Sequence, residues 1–344
     1  MTNTNVAVDS SLTLEAVPCD QCGRDDATCV AESRDRDHGV QGLFQVVKCN
    51  HCGLTYMNPR PTPQTIGNCY PTDYYAYGQP EKMIQRPKDS ISSRIKLTIR
   101  RSRLLSALVS TIPRLRHMAR DSHLAEDIIG WIAPGKVLDV GCGAGGFLDD
   151  MRATGWATYG IEPSSGAARI ANENGHCVSA QSILDPLPKE FEASRFDLIW
   201  MSHSLEHVHA PTQTMETVAR LLKPNCGYLV VEVPNVESAL TLFFGEIGLA
   251  FDTPRHLYLF GPQTLSALLK KTGFEIVSIR HISRPRQFIR CINFLIADHT
   301  PKNWQTQAQK LMQDPGLSRS LTPLAEFVDE MKLGGAIRVV ARLH

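Results

Sequence analysis

The stretch Lys136-Val-Leu-Asp-Val-Gly-Cys-Gly-Ala-Gly-Gly-Phe-Leu148 narrows what this chain can fold into more than any other. Val137, Leu138 and Val140 form a short apolar run, the pattern of a strand buried on both faces of a parallel sheet. Gly141, Gly143, Gly145 and Gly146 then crowd into six positions before Phe147 and Leu148 open a helical pattern. A glycine turn between strand and helix lets the backbone pass close beneath a ligand, because no Cβ stands in the way. The helix that follows aims its free N–H groups and positive dipole end at whatever lies above the turn. The stretch therefore reads as a cofactor seat. Gly141, Gly143 and Gly146 also meet the G-x-G-x-x-G spacing of dinucleotide sites. Asp139 points the other way, since a carboxylate at the strand end repels a pyrophosphate and suits a cationic or amine-bearing ligand. Glu162 closes the next strand pattern, 19 residues beyond Gly143, and offers a carboxylate for two ribose hydroxyls with either cofactor.

Three more motifs follow in order: Tyr-Gly-Ile-Glu-Pro-Ser from 159, Phe-Asp-Leu-Ile-Trp-Met-Ser-His-Ser-Leu-Glu-His-Val from 196, and Leu-Leu-Lys-Pro-Asn-Cys-Gly-Tyr-Leu-Val-Val-Glu-Val-Pro-Asn from 221. With the glycine turn they span residues 136 to 235 and resemble class I S-adenosylmethionine-dependent methyltransferases. The resemblance implies an α/β, Rossmann-like sheet of seven strands in the order 3-2-1-4-5-7-6, strand seven antiparallel. It implies S-adenosylmethionine as cofactor, seated by Asp139, Gly141, Cys142, Gly143, Gly146, Phe147, Glu162 and Pro163. Gln181 and Ser182 fall beside the adenine position, and Met201, Ser202 and His203 beside the methionine part. Relatives often carry an acid where Gln181, Ser182 and Ile183 stand, so the contact to the adenine amine is open.

The apolar periodicity predicts strands over 137–140, 157–161, 176–180, 196–200, 228–233, 274–280 and 336–343. Helices are predicted over 124–132, 147–154, 165–174 and 262–271, the last opened by Pro262 and stopped at Gly273. The short βα alternation is that of a doubly wound sheet. The polar, Gln-rich stretch 298–334 reads as a helical insertion. Three segments are expected: a ribbon over 1–60, a linking strap and basic helix over 61–123, and the methyltransferase domain over 124–344.

Cys19-Asp-Gln-Cys22-Gly23 and Cys49-Asn-His-Cys52-Gly53 are two copies of C-x-x-C-G. Each turn places two thiolates on one side of a metal, and two such turns complete a tetrahedral site. Four thiolates leave no open position, so the expected zinc is structural rather than catalytic. A redox C-x-x-C is the alternative, but it needs a thioredoxin-like βαβ unit that the flanking sequence lacks. Ten cysteines, no signal peptide and no apolar run of spanning length point to a reducing, cytoplasmic setting.

After the ribbon, Asn58-Pro-Arg-Pro-Thr-Pro63 is stiff and extended. Four tyrosines then fall within 70–77, either a packing strap or a lid over cofactor or acceptor in which Tyr74, Tyr75 or Tyr77 offers a hydroxyl, Tyr75 being the candidate substrate contact. Residues 82–120 carry 11 Lys or Arg against one acid, Asp89, so the near-neutral total conceals a charge separation. Ile91, Ile95 and Ile99, then Leu104, Leu108 and Ile112, step by four, the spacing of an amphipathic helix over 91–112. Its basic face suits an anionic membrane surface or an anionic substrate; the alternative is a helix docked on the protein with that face in water. Nucleic acid is disfavoured, because this stretch lacks interleaved aromatics. The Asn-Pro-Pro-Tyr tetrapeptide of base methyltransferases and a free Pro-Cys nucleophile are also missing.

Chemistry is expected at the carboxyl ends of strands four and five. Transfer to a hydroxyl requires alignment and removal of a proton. His203 follows strand four, and Glu206 with His207 forms a candidate carboxylate–imidazole base. The alternative is that the pair only orients the loop. Asp252-Thr-Pro-Arg-His-Leu-Tyr258 offers His256 as another base, Arg255 as holder of a phosphate or carboxylate, and Tyr258 as a substrate contact; alternatively Arg255 pairs with Asp252. The ribbon joined to this domain also resembles bacterial methyltransferases of polysaccharide and deoxysugar pathways. Sugar C-methyltransferases usually carry a further C-terminal α/β domain with no counterpart here. O-methylation of a glycan, sugar nucleotide or lipid-linked sugar is therefore expected ahead of sugar C-methylation or small-molecule N- or O-methylation. The rival from another class is a scaffold that binds the cofactor without turnover.

Overall fold

The computed structural model describes residues 8–71, 132–193, 195–300 and 315–343. Tyr75, the basic stretch 91–112 and all but the last residue of the expected helix 124–132 lie outside them. The chain divides into two compact units. One comprises Met1–Pro71, Met201–Arg220 and Val230–His344, the other Thr72–Trp200 and Leu221–Leu229.

The N-terminal strands are β1 (Leu14–Glu15), β2 (Ala27–Ser33), β3 (Phe44–Cys49), β4 (Thr55–Met57) and β5 (Arg60–Pro61). β2, β3 and β4 form an antiparallel meander, with Ala27 opposite Cys49 and Val47 opposite Tyr56. Along β3 the burial follows the sequence: Phe44, Val46, Val47 and Cys49 lie inside, Gln45 and Lys48 outside. The free edge of β4 is taken by β11 (Tyr258–Leu259), which pairs Tyr258 with Tyr56 and completes a four-stranded sheet. A strand some 200 residues downstream thus belongs to the ribbon sheet. Val46, Ala250 and Leu259 share one buried cluster.

The large sheet uses β6 (Lys136–Val140), β7 (Ala157–Ile161), β8 (Cys177–Ser179), β9 (Leu198–Ser202), β10 (Tyr228–Pro234), β12 (Phe274–Ile282) and β13 (Ala336–Leu343). Its order, β8-β7-β6-β9-β10-β13-β12, is the 3-2-1-4-5-7-6 implied by the motif resemblance. β6 pairs in parallel with β7 and β9, and β12 with β13 antiparallel. Strand four starts two residues later than its apolar pattern. Phe196 exchanges backbone bonds with Leu221 and Lys223, and Asp197 accepts from the Lys136 amide and the Lys223 ammonium.

The helices are α1 (Gly146–Ala153), α2 (Ser165–Glu173), α3 (Lys189–Glu192), α4 (Pro211–Leu221), α5 (Ala239–Phe244), α6 (Pro262–Lys271), α7 (Pro285–His299), α8 (Pro315–Ser320) and α9 (Thr322–Glu330). α2 is capped by Ser164, which accepts from the Ala167 amide, and buries only alanines, Ala167, Ala168 and Ala171. Of the stretch 298–334, the described part ends α7 and builds α8 and α9. Among the described residues, no helix is long and apolar enough to cross a membrane.

Candidate active site and metal centre

The glycine turn after β6 is built as a cradle. Gly145, at φ 87°, precedes α1, and a Cβ there would crowd His176 and Ala171. The Gly141 amide donates to the carbonyl of Ile161, which ties the turn to the end of β7. Glu162 then reaches back. Its two oxygens accept from the amides of Gly143 and Ser164, each at 2.8 Å. Asp139 is buried at the end of β6, and Cys142 is buried beside Gly160. Phe147 stacks on Trp200 with centroids 4.7 Å apart. Pro163 is exposed, and Gln181 and Ser182 build the turn after β8, where Gln181 donates to Pro186 and the Ser182 amide to Asp185. Met201 and Ser202 end β9, Met201 fully buried.

Burial, with the Glu162 carboxylate nearby, pushes the Asp139 carboxyl up to about 8. Glu162 is raised by burial as well, against the two amides it accepts from. Among the described residues neither acid forms an ion pair, and two such buried acids are what a cationic ligand relieves. Binding a cation favours the carboxylate form of Asp139 and so expels a proton. Affinity for a sulfonium cofactor is therefore expected to rise with pH, by at most about tenfold per unit below pH 8. Calorimetry between pH 6 and 9 reads this directly. Asp139→Asn should flatten the profile, and a wild-type profile no steeper than that of the variant would refute the assignment.

In the other unit, His203, at φ 53°, occupies a left-handed turn uncommon for a residue with a Cβ. Its amide donates to the Glu232 carbonyl. Its ring lies between two carboxylates, with Nδ1 3.3 Å from Glu206 and Nε2 3.3 Å from Glu232. Burial opposes a charge here, but the two carboxylates outweigh it and push the imidazole up to about 9. Arg284 and Arg338 complete the ion network around Glu232. Two carboxylates on one ring favour its imidazolium form, which has no lone pair, and this weighs against the role of base that its position after strand four suggested.

His207 and His256 are different. The His207 Nδ1 lies 3.0 Å from the Arg255 carbonyl and 3.1 Å from the Tyr70 hydroxyl. The His256 Nδ1 lies 2.9 Å from the Ala250 carbonyl. A carbonyl only accepts, so each Nδ1 carries a proton, and in the neutral ring Nε2 is the nitrogen that can accept one. The rings meet edge to face with centroids 4.8 Å apart. Glu206, 1% exposed, stands beside them, its Oε1 3.9 Å from the His256 Nε2. Burial, with His256 next to it, pulls the His207 imidazole down to about 4. Sequence reasoning named Tyr75 for the tyrosine cluster; the tyrosine found at the histidines is Tyr70, whose only signal was membership of that cluster.

Arg255 and Tyr258 do not reach for substrate. Arg255 is fully buried and all five N–H donors are engaged: two bonds go to Asp35, two to Asp252 and one to the Cys69 carbonyl. Asp252 was foreseen as a partner; Asp35 lies 220 residues away and was not. Tyr258 is buried between Tyr56 and Phe260, accepts from Arg60 and donates to the His209 carbonyl.

The four cysteines converge. Cys19 and Cys52 Sγ lie 3.5 Å apart, as do Cys22 and Cys49. A tetrahedral zinc with 2.3 Å bonds has edges of about 3.8 Å. The two turns are near copies: Gly23 and Gly53, at φ 73° and 77°, donate to the carbonyls of Cys19 and Cys49. The first turn also docks, since Asp20 accepts from the amide and hydroxyl of Thr212 at the start of α4.

The chain is similar to several known proteins. Residues 114–279 match the family model described as a methyltransferase domain. The ubiquinone biosynthesis O-methyltransferase of Burkholderia vietnamiensis is 27% identical over 171 residues, 45% of this chain and 73% of that protein. Its counterpart in Burkholderia ambifaria is 28% identical over the same length. Similar solved structures include a SAM-dependent methyltransferase from Archaeoglobus fulgidus, at 19% identity and a TM-score of 0.42, covering 73% of this chain and 99% of that one. A possible histamine N-methyltransferase from Thermotoga maritima has 18% identity and a TM-score of 0.41, covering 70% and 99%. The chain carries a methyltransferase domain and is a methyltransferase.

Proposed function

We propose that the protein is an S-adenosylmethionine-dependent O-methyltransferase acting on a hydroxyl of a small molecule. One observation carries the acceptor chemistry: His207 and His256 each have Nδ1 held by a backbone carbonyl, they cluster with Glu206, and the His256 Nε2 lies 3.9 Å from the Glu206 carboxylate. A neutral imidazole backed by a carboxylate takes a hydroxyl proton and holds it as the imidazolium. The cofactor supplies an electrophilic methyl group on a sulfonium. Asp139 and Glu162 fit such a ligand, since their buried carboxyls suit its positive charge and its ribose hydroxyls. The relatives' names place O-methylation in ubiquinone biosynthesis, and the motif resemblance points to sugar hydroxyls in glycans, sugar nucleotides or lipid-linked sugars. Both are hydroxyl acceptors. The fit of the four sulfur atoms to a tetrahedron supports a structural zinc beside this chemistry.

The test is label transfer from methyl-labelled cofactor into two acceptor pools, ubiquinone precursors and sugar nucleotides. Label is expected in one pool, and His256→Ala should lower kcat by about 100-fold or more with cofactor affinity unchanged. Cofactor binding without transfer to any pool, and an inert His256→Ala, would instead favour a cofactor-binding scaffold.

A further inference from the structure

We propose that Glu206, His207 and His256 form a second metal site, one that takes a divalent first-row transition ion through two imidazole nitrogens and a carboxylate oxygen. A 3₁₀ turn, Leu205–His207, supplies the first two residues, and the turn ahead of β11 supplies the third. One ligand atom from each lies within 4.8 Å of the others. Ligand atoms on a tetrahedral zinc sit about 3.4 Å apart, so small side-chain rotations close the set.

Two independent features mark the cluster as a ligand set rather than a chance meeting of polar residues. Both imidazoles are oriented through Nδ1 by backbone carbonyls, those of Arg255 and Ala250. That is how metal-binding histidines are held, with the tautomer fixed and Nε2 turned to the ion. The second feature is Glu206. Its Oε1 faces the His203 ring and lies 3.9 Å from the His256 Nε2, and its Oε2 is buried with no hydrogen-bond partner among the described residues. A buried carboxylate oxygen left unpaired is costly, and a cation held by this carboxylate and the two imidazoles offsets that cost. The nearby Asp252 carboxylate is already engaged by Arg255 and is not needed as a ligand. The donor set is two nitrogens and one oxygen, which suits zinc, manganese or ferrous iron and not calcium. Three protein ligands leave a coordination position open, where four thiolates leave none.

With an ion bound, the two imidazole nitrogens would serve as ligands in place of the base role proposed above, and an acceptor hydroxyl at the open position would shed its proton to water more readily, as metal-bound water does. This role for the ion, though not its binding, rests on the acceptor site proposed above.

Cobalt reports the two sites separately. The full chain, stripped with a chelator and titrated with Co²⁺, is expected to take two ions. One gives the intense sulfur-to-cobalt absorption of a thiolate site, and the other gives only weak d–d bands. Glu206→Gln and His256→Ala should each weaken the second ion by about 100-fold while keeping the first, which also reports that the ribbon has folded. A single cobalt with thiolate absorption in the wild type would overturn the site. So would a second ion that binds both variants as tightly as the wild type. A second ion present without methyl transfer to either acceptor pool would uphold the site and sink the proposed reaction, so the two failures are distinguishable.

Discussion

Arg255→Met is expected to cost the protein about 3–5 kcal/mol of stability, the loss typical when one partner of a buried ion pair is removed. The guanidinium is fully buried and bridges Asp35, Asp252 and the Cys69 carbonyl, so it ties three distant parts of the chain together. Methionine fills much of the volume but leaves two carboxylates without the guanidinium between them. Burial raises both acids, yet Arg255 at Asp35, and His256 together with Arg255 at Asp252, outweigh it and hold both below the usual carboxylate range. Their contribution is therefore present above the unfolded carboxylate pKa near 4 and is lost as pH falls through the lower folded values. The wild-type advantage should be full at pH 7 and shrink in acid, where the variant protonates its orphaned carboxylates at little cost. Arg255→Lys should rescue little, because an ammonium has three donors and no planar fork. Denaturant unfolding at pH 7 and pH 4 reads both effects. Were Arg255→Met to fold with wild-type stability and lose only activity, the substrate-holding role read from sequence would return.

Arg255 also shows where sequence reading stops. The fold was legible because its signals are local: glycines at one turn, apolar runs of strand length, prolines and glycines at helix ends. Sheet order followed from the motif set, and the four cysteines met because two short turns repeat one spacing. What the sequence concealed is pairing across distance. Nothing in Asp-Thr-Pro-Arg announces Asp35, and nothing in Tyr258-Leu259 shows that it will close the edge of a ribbon that ended near residue 60. The three histidines look alike in sequence, yet their surroundings give them different tasks. Two carboxylates hold the His203 ring toward its charged form, while backbone carbonyls take the Nδ1 side of His207 and His256. Asp139 was readable as an acid suited to a cation, but its raised pKa depends on burial that only the fold supplies.

Removing metal from the four cysteines is expected to loosen the histidine cluster as well as the ribbon. The ribbon has little core of its own, and Val46 is buried together with Ala250 and Leu259. A path of backbone bonds runs from it to the site: the Met57 amide donates to the Leu257 carbonyl at 2.9 Å, and the Leu257 amide to the Glu206 carbonyl at 2.8 Å. Leu257 follows His256 directly in the chain, so β4, β11 and the cluster share one support. Structural zinc binding is worth about 10–16 kcal/mol in zinc-finger peptides, far more than an isolated three-strand meander can replace. Cys49→Ser should therefore lower metal content by one ion per chain and increase amide exchange at Met57, Leu257 and Leu259 by about 100-fold or more. Amides in β6 and β7, paired within the other unit, should exchange as in the wild type. Methyl transfer should fall with the first set of amides while cofactor affinity is retained. Unchanged exchange at Leu257 and Leu259 in Cys49→Ser would mean that the β4–β11 pairing stands without metal, and the four cysteines would then have no part in holding the histidine cluster.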